Sequence, residues 1–350
     1  MSTATLQRKN SSGKSEAVGS AHKGYAPDPE TLRDVMKVLP KDALEQRVGF
    51  AFFTTFRVWA FTLLGLYLTS IAPWYLLPLT WVFFGTAATG LFVVAHDCAH
   101  QSFSKSRTLN EVVGTICMMP LMFPYCGWEL THNHHHQFAN HLDKDHLWRP
   151  LKKEQLEKMS TFSKYVAYYM YGPLFFESSI LHHAYHFLLP IVARRAKAKT
   201  GRSVVFALLG CAMTPYGISY LGPLWKLYWA PFLVFQFWLS TFTLFHHRNP
   251  RGAGWKEDKD WNKVYGSLFA TVHVAFPSWI EYLTLDINWH LPHHASALIP
   301  WYNLRKCTHA LMMAYGDRLC TDEFSWELWK EVTRECHMYD PVEGYKTMWA

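Results

Sequence analysis
Histidines are the residues in this chain whose spacing points to chemistry. Residues 131–136 read THNHHH, which places His132, His134, His135 and His136 within five positions. Residues 290–294 read HLPHH, so His132, His135, His136 and His290, His293, His294 repeat one pattern, H-x-x-H-H. His96 and His100 stand four apart in HDCAH, and a further pair follows at His246 and His247. On a helix advancing about 100° per residue, His132, His135 and His136 fall within an arc of about 100°, whereas His134 lies about 200° from His132. Three imidazoles on one face can share a metal, and the fourth cannot. His96 and His100 share a face for the same reason. Imidazole suits Fe, Zn, Cu and Ni, so spacing alone does not choose the metal. Eight box imidazoles plus one from the 246–247 pair exceed what one four-coordinate ion uses and suit two metals. His182, His183 and His186 follow no box pattern and read as residues of a membrane interface.

The elements that must hold these rings show in the hydropathy. Half of the 350 residues are hydrophobic, only 17% are charged, and there are 16 Trp, 18 Tyr and 24 Phe. Mean hydropathy is nonetheless close to zero, which requires very apolar stretches set against a polar remainder. Residues 58–95 contain no charged residue and no His, too many for one span of about 20 residues and enough for two. Pro73 and Pro78 break them apart, and Trp74 and Tyr75 suit the interfacial belt. Spans are therefore expected over 53–72 and 76–95, with a second pair over 203–221 and 226–245. Lys and Arg gather at 105–107, 144–158 and 193–202. The positive-inside rule then puts both termini and residues 96–202 and 246–350 on the cytoplasmic side.

The expected fold is an all-α integral membrane protein, with four transmembrane helices in two hairpins and a cytoplasmic helical cap carrying the boxes. Residues 112–125 are apolar but short and broken by proline, and read as interfacial or re-entrant, as do 187–192. Residues 1–27 read as a disordered tail, basic and poor in acids as organelle transit peptides are. Residues 28–350 form the membrane domain. Asp28 and Pro29 predict a helix start, and KDALEQ at 41–46 a second short helix. Seven cysteines without a C-x-x-C pair read as reduced thiols. A net charge of +7 suits an anionic membrane surface, and no basic stripe accompanies a nucleic-acid motif.

The order HxxxH, HxxHH, HxxHH around two hairpins resembles the membrane fatty acid desaturases. PWYLLPLTW, HDCAHQSFSKSRTLNEVVG, STFTLFHH, TVHVAFPSWIEYLTLDINWHLPHHASALIPWYNLR and CHMYDPVEGY are similar to the cyanobacterial-type acyl-lipid delta-12 (omega-6) desaturases. The resemblance runs from about residue 30 to the carboxyl terminus. It implies two irons, O2 as co-substrate and a ferredoxin-type electron donor. The implied reaction inserts a cis double bond into acyl chains of membrane glycerolipids, oleoyl to linoleoyl, in a plasma, thylakoid or chloroplast membrane. The resemblance assigns metal ligation to His96, His100, His132, His135, His136, His290, His293 and His294. It adds a histidine at the end of the fourth span, His247 in preference to His246. Glu129 and Phe138 depart from the family pattern at positions that are not ligands.

The chemistry fits that implication. No side-chain acid or base can deprotonate an unactivated C–H bond inside an acyl chain, so the hard step belongs to the metals. Ligating imidazoles need outer acceptors that fix the tautomer. Asp97, Asp143, Asp145, Asp286 and Asn288 lie next to the boxes, and Thr243 is one turn before His247. Trp229, Phe232, Phe235, Phe237, Trp238 and Phe242 either wall an acyl channel or pack the fourth span. A hydroxylase or ketolase of the same class would use the same irons, and the longer motifs favour desaturation. A metal transporter or buffer would place polar or His ligands inside the spans or carry a low-complexity His tract, whereas 58–95 and 203–245 hold no His and the histidines are spaced.

Overall fold
The computed structural model describes residues 25–172, 176–192 and 196–348. The first helix, α1 (Leu32–Val38), starts later than expected. Thr31 is its cap: the Asp34 carboxylate accepts from the Thr31 backbone N–H at 3.0 Å and from its hydroxyl at 2.8 Å, a reciprocal arrangement that outcompetes a start at Pro29. Asp28 instead pairs with Arg318 at 2.5 Å. KDALEQ forms turns, not a helix; the Ala43 N–H donates to the Pro40 carbonyl at 2.9 Å. Most of the expected tail lies outside the described residues; the Ala26 N–H bonds the Ala314 carbonyl at 2.8 Å.

α2 (Val48–Ile71) ends just before Pro73, and α3 (Leu77–Ala99) takes Pro78 in its first turn, where the missing N–H is not needed. α4 (Arg107–Met118) and a 3₁₀ turn over Met119–Leu121 lead to a reversal at Met122 (φ 57°), and α5 (Tyr125–Phe138) returns. Then come α6 (Lys153–Glu157), α7 (Thr161–Tyr171), α8 (Phe176–Val192) and α9 (Lys197–Ser219). A π-helical turn over Trp225–Trp229 opens α10 (Ala230–His247). The carboxyl-terminal part holds α11 (Ser278–Leu283), α12 (Leu291–Ala295), α13 (Leu304–Tyr315) and α14 (Trp326–Glu335).

Among the described residues, three helices are long and apolar enough to cross a membrane: Val48–Ile71, Trp74–Ala99 and Trp225–His247. Each outruns its apolar stretch. Nothing breaks α3 before Ala99 or α10 before His247, so both carry histidines on continuous helix. α9 covers most of the expected third span but opens with Lys197, Lys199 and Arg202, and is less apolar. It packs against α8 and α5, while α8 packs against α10; at its end Ile218 clusters with Leu227 and Tyr228 of the turn that opens α10. Residues 187–192 belong to α8.

The mostly helical chain also contains two small sheets that the helical expectation omitted. β1 (Val272–Ala275) pairs parallel with β2 (Cys320–Glu323), and β3 (Met338–Asp340) pairs antiparallel with β4 (Gly344–Lys346). Strands this short leave no readable alternation.

Close helix contact comes from small residues. A Cβ on Gly85 of α3 would lie 2.5 Å from the Pro231 carbonyl and from Val234 Cβ of α10, so only glycine lets these helices meet so closely. Hydroxyls inside the apolar helices bond back to their own carbonyls, as Thr62 does to Val58 and Thr89 to Gly85. The Trp238 indole N–H donates to the Thr86 hydroxyl at 2.8 Å across α10 and α3. All seven cysteines are free.

Candidate metal centre
Four elements aim histidines at one region. α3 ends on His96 and His100, whose ring centroids lie 4.8 Å apart. α5 is helical through 131–136, so His132, His135 and His136 face inward and are buried. His134 points the other way and stacks on His146 at 4.3 Å. α10 ends on His246 and His247. Pro292 sits in the first turn of α12, which presents His293 and His294, with His290 at its cap.

The structure gathers eight of these rings into two nests. His96, His100, His132, His136 and His293 form one, and His135, His247 and His294 the other; within each, the ring nitrogens lie within 4.8 Å of one another. Nε2 of His136 is 3.1 Å from His132 Nε2 and 3.0 Å from His293 Nε2, and His135 Nε2 is 3.2 Å from His247 Nε2. Two nitrogens at about 2.1 Å from one ion, at right angles, sit about 3.0 Å apart. His290 joins neither nest. Its ring stacks on His246 at 4.4 Å and 14°.

Protonation points the same way. Burial, then the neighbouring imidazoles, hold His132, His136, His290, His293 and His294 well below the ordinary histidine range. Burial thus favours the neutral form, the form that ligates metal. Several buried ring nitrogens have no partner in the protein: Nε2 of His96 and His100, Nδ1 of His132 and His290, and both nitrogens of His294. The residues fit a metal pair.

Outer partners fix the tautomers of two rings in the second nest. His135 Nδ1–H donates to the fully buried Asp145 at 2.9 Å, which also accepts the backbone N–H of Asn140 and Leu147 at 3.0 Å each. His247 Nδ1–H donates to Asn140 Oδ1 at 2.9 Å. In the neutral rings that a metal needs, both Nε2 atoms then carry lone pairs, and they face each other at 3.2 Å. A cation resolves that opposition. Asp97 lies 3.4 Å from His96 Nδ1 and accepts the Trp301 N–H at 2.9 Å.

Other expected partners sit elsewhere. Asp286 pairs with Arg305 at 2.5 Å, because the guanidinium is the nearer and stronger donor. The Asn288 amide bonds Glu281 at 2.7 Å, and Asp143 pairs with Lys152 at 2.5 Å on the surface. Thr243 donates to its own Leu239 carbonyl and lines the cavity described below. His183 and His186 are buried packing residues, not interface ones: His183 Nε2 bonds the Met122 carbonyl at 2.6 Å, and His186 Nε2 meets the Thr131 hydroxyl at 2.8 Å. Sequence reasoning missed Asn140, whose side chain orients His247. Asn140 has φ 57° just past the end of α5, a position where asparagine is a readable cap signal.

A small cavity of about 50 Å³ opens against the nests, walled by Phe92, Trp128, Leu239 and Phe242 beside His96 and His290. Apolar walls leading to a cluster of neutral imidazoles suit an alkyl substrate. A family model for fatty acid desaturases matches residues 72–322. The chain belongs to the fatty acid desaturase family. It is an enzyme, an oxidoreductase acting on fatty acyl chains. The sn-1 oleoyl-lipid 12-desaturase of Synechocystis sp. is 36% identical over 327 residues, covering 90% of this chain and 91% of that protein. The sn-1 oleoyl-lipid 12-desaturase of Anabaena variabilis is 38% identical over 322 residues, with 90% and 91% covered. The chloroplastic omega-6 fatty acid desaturase of Spinacia oleracea is 38% identical over 325 residues, with 91% and 72% covered.

Proposed function
We propose that this desaturase inserts a cis double bond at carbon 12 of oleoyl chains in membrane glycerolipids, using two irons, O2 and electrons from a ferredoxin-type donor. The observation that carries the reading is the convergence of eight buried imidazoles in two nests on one apolar cavity. The printed activities of relatives at 36–38% identity support the substrate and position.

His96, His100, His132, His136 and His293 would hold one iron, and His135, His247 and His294 the other, with His290 beside them. Bound iron supplies O2 activation and removal of hydrogen from an unactivated carbon, which no side chain here can perform. The chain's own residues do the rest. Asp145 and Asn140 hold His135 and His247 in the Nδ1–H tautomer. Phe92, Trp128 and Phe242 exclude water and lay the acyl chain against the rings.

The α2, α3, α9 and α10 helices are the four spans of this reading, with residues 112–125 interfacial or re-entrant. In this reading the nests and both termini are cytoplasmic, which the basic segments support. The test is expression in a host whose lipids are monounsaturated, with iron and ferredoxin supplied, followed by chromatography of fatty acid methyl esters. A new 9,12-diene is expected. Hydroxy acids, or no new product, would overturn the proposal.

A further inference from the structure
We infer that the polar cleft between α4, α5 and α9 binds the phosphodiester headgroup of an anionic glycerolipid. The cleft is separate from the metal centre, and the inference goes beyond the desaturase reading without resting on it.

The cleft holds about 540 Å³, inside the range of about 300–1,000 Å³ in which small ligands are bound. Its charges are unequal. The Lys199 ammonium pairs with the Glu129 carboxylate at 2.6 Å, and the Arg202 guanidinium pairs with Glu111. Arg107 also lines the cleft, is exposed, and pairs with no carboxylate among the described residues. Three cations against two carboxylates leave one positive charge unanswered. A phosphodiester carries one negative charge, and a guanidinium fork matches its oxygens.

Two helices aim their amino ends at the same space. Arg107 and Thr108 belong to the first turn of α4, and Ala198 and Lys199 to the first turn of α9. Each end adds partial positive charge. No side chain caps α9, so its first N–H groups call for an acceptor from elsewhere.

Tyr125 supplies a buried donor. It is 2% exposed and lines the cleft, and its hydroxyl bonds no group among the described residues. A buried tyrosine hydroxyl ordinarily finds an acceptor. The ring is seated in the notch left by Gly114, where a Cβ would lie 2.2 Å from its Cε2. The next residue pins the start of α5 to α9, through the Cys126 N–H and the Ser203 hydroxyl at 2.9 Å. The donor is thus held at the cleft by packing.

The rim shows the other half of the ligand. Arg202 begins a face of α9 on which Val205, Phe206, Leu209 and Met213 follow at helical spacing, each more than a third exposed. Val112 and Ile116 of α4 are each 50% exposed. A soluble anion gains nothing from these side chains. A lipid lays its acyl chains on them while its phosphate sits among the cations, as in other basic pockets between apolar helices.

The test places the full chain in phosphatidylcholine nanodiscs and titrates in dansyl-labelled phosphatidylglycerol, read by energy transfer from tryptophan. Saturable binding is expected. It should weaken about tenfold in Arg107→Gln and about fivefold in Tyr125→Phe, the losses that go with a charged and a neutral hydrogen bond. Both variants remove a group without a partner in the protein, and phenylalanine keeps the ring in the Gly114 notch, so the fold stays intact. Lys330→Gln, an exposed cation on α14 outside the cleft, should bind as wild type does. Absence of saturable binding, unchanged binding in Arg107→Gln, or an equal loss in Lys330→Gln would overturn the inference. Equal binding of dansyl-labelled phosphatidylcholine would overturn the choice of an anionic headgroup. Displacement by millimolar inorganic phosphate would show a site for a soluble anion and overturn the lipid assignment.

Discussion
Asp145→Asn isolates what the outer partner of a ligand contributes. The carboxylate is fully buried and meets three donors: His135 Nδ1–H and the backbone N–H of Asn140 and Leu147. An amide oxygen can replace one carboxylate oxygen. The amide nitrogen, placed where the other stood, then faces a donor with a donor. A buried donor left without an acceptor costs about 1–3 kcal/mol. The ring can escape by moving its proton to Nε2, but that removes the lone pair now aimed at His247. Either route weakens the second nest. Outer partners of metal-bound histidines typically matter by about 10- to 100-fold in affinity, equivalent to about 1.4–2.8 kcal/mol. The assay is iron per chain after dialysis of the purified protein against graded chelator, read beside diene yield. Asp143→Asn is the control, since Asp143 pairs with Lys152 on the surface, and its curve should match wild type. An Asp145→Asn curve that also matched wild type would refute the assignment of this nest.

Three further outcomes are expected. His134→Ala should keep substantial activity, whereas alanine at His132, His135 or His136 should abolish both diene and iron binding; equal loss in all four would refute the facial sorting. Gly85→Leu should lower thermal stability in detergent and release iron, because its side chain must push α3 away from the Pro231 backbone; unchanged stability would show that the helices do not meet there. Burial holds His337 at about 4, below the usual histidine value of about 6.5. Its neutral form is favoured by folding, so the stability it lends is present above pH 6.5 and declines as pH falls toward 4. Proteolysis of the carboxyl-terminal hairpin should rise over that window, and His337→Gln should blunt the rise.

The boxes were legible because helical periodicity is local. His96 with His100, and His132 with His135 and His136, sit on faces that a turn of about 3.6 residues dictates, and α3 and α5 obey it. Three long apolar helices were legible too, through the absence of charge. Their ends were not. Loss of apolarity does not stop a helix, so α3 and α10 continue to the histidines, and α9 begins amid its own lysines. The two small sheets depend on pairing partners far apart in sequence, β1 with β2 across some fifty residues, and no local pattern announces that.

The division of the histidines between two nests could not be read from spacing. Sharing a face fixes a ring's direction to within about half a turn, whereas a coordination point demands an ångström. His135 and His136 are adjacent in sequence yet serve different nests, and so do His293 and His294. The pairing is decided by what stands opposite each ring. His135 meets His247 from α10, and His136 meets His293 from α12. His290 matches the box pattern as well as His132 does, but its ring stacks on His246 at the wall of the cavity. The same limit applies to the outer partners. Asp286 is nearer to a box in sequence than Asp145 is, but Arg305 captures Asp286, while a fully buried Asp145 has only His135 and two backbone amides to answer. Proximity in sequence proposes such partners, and competition among donors in the folded chain selects them.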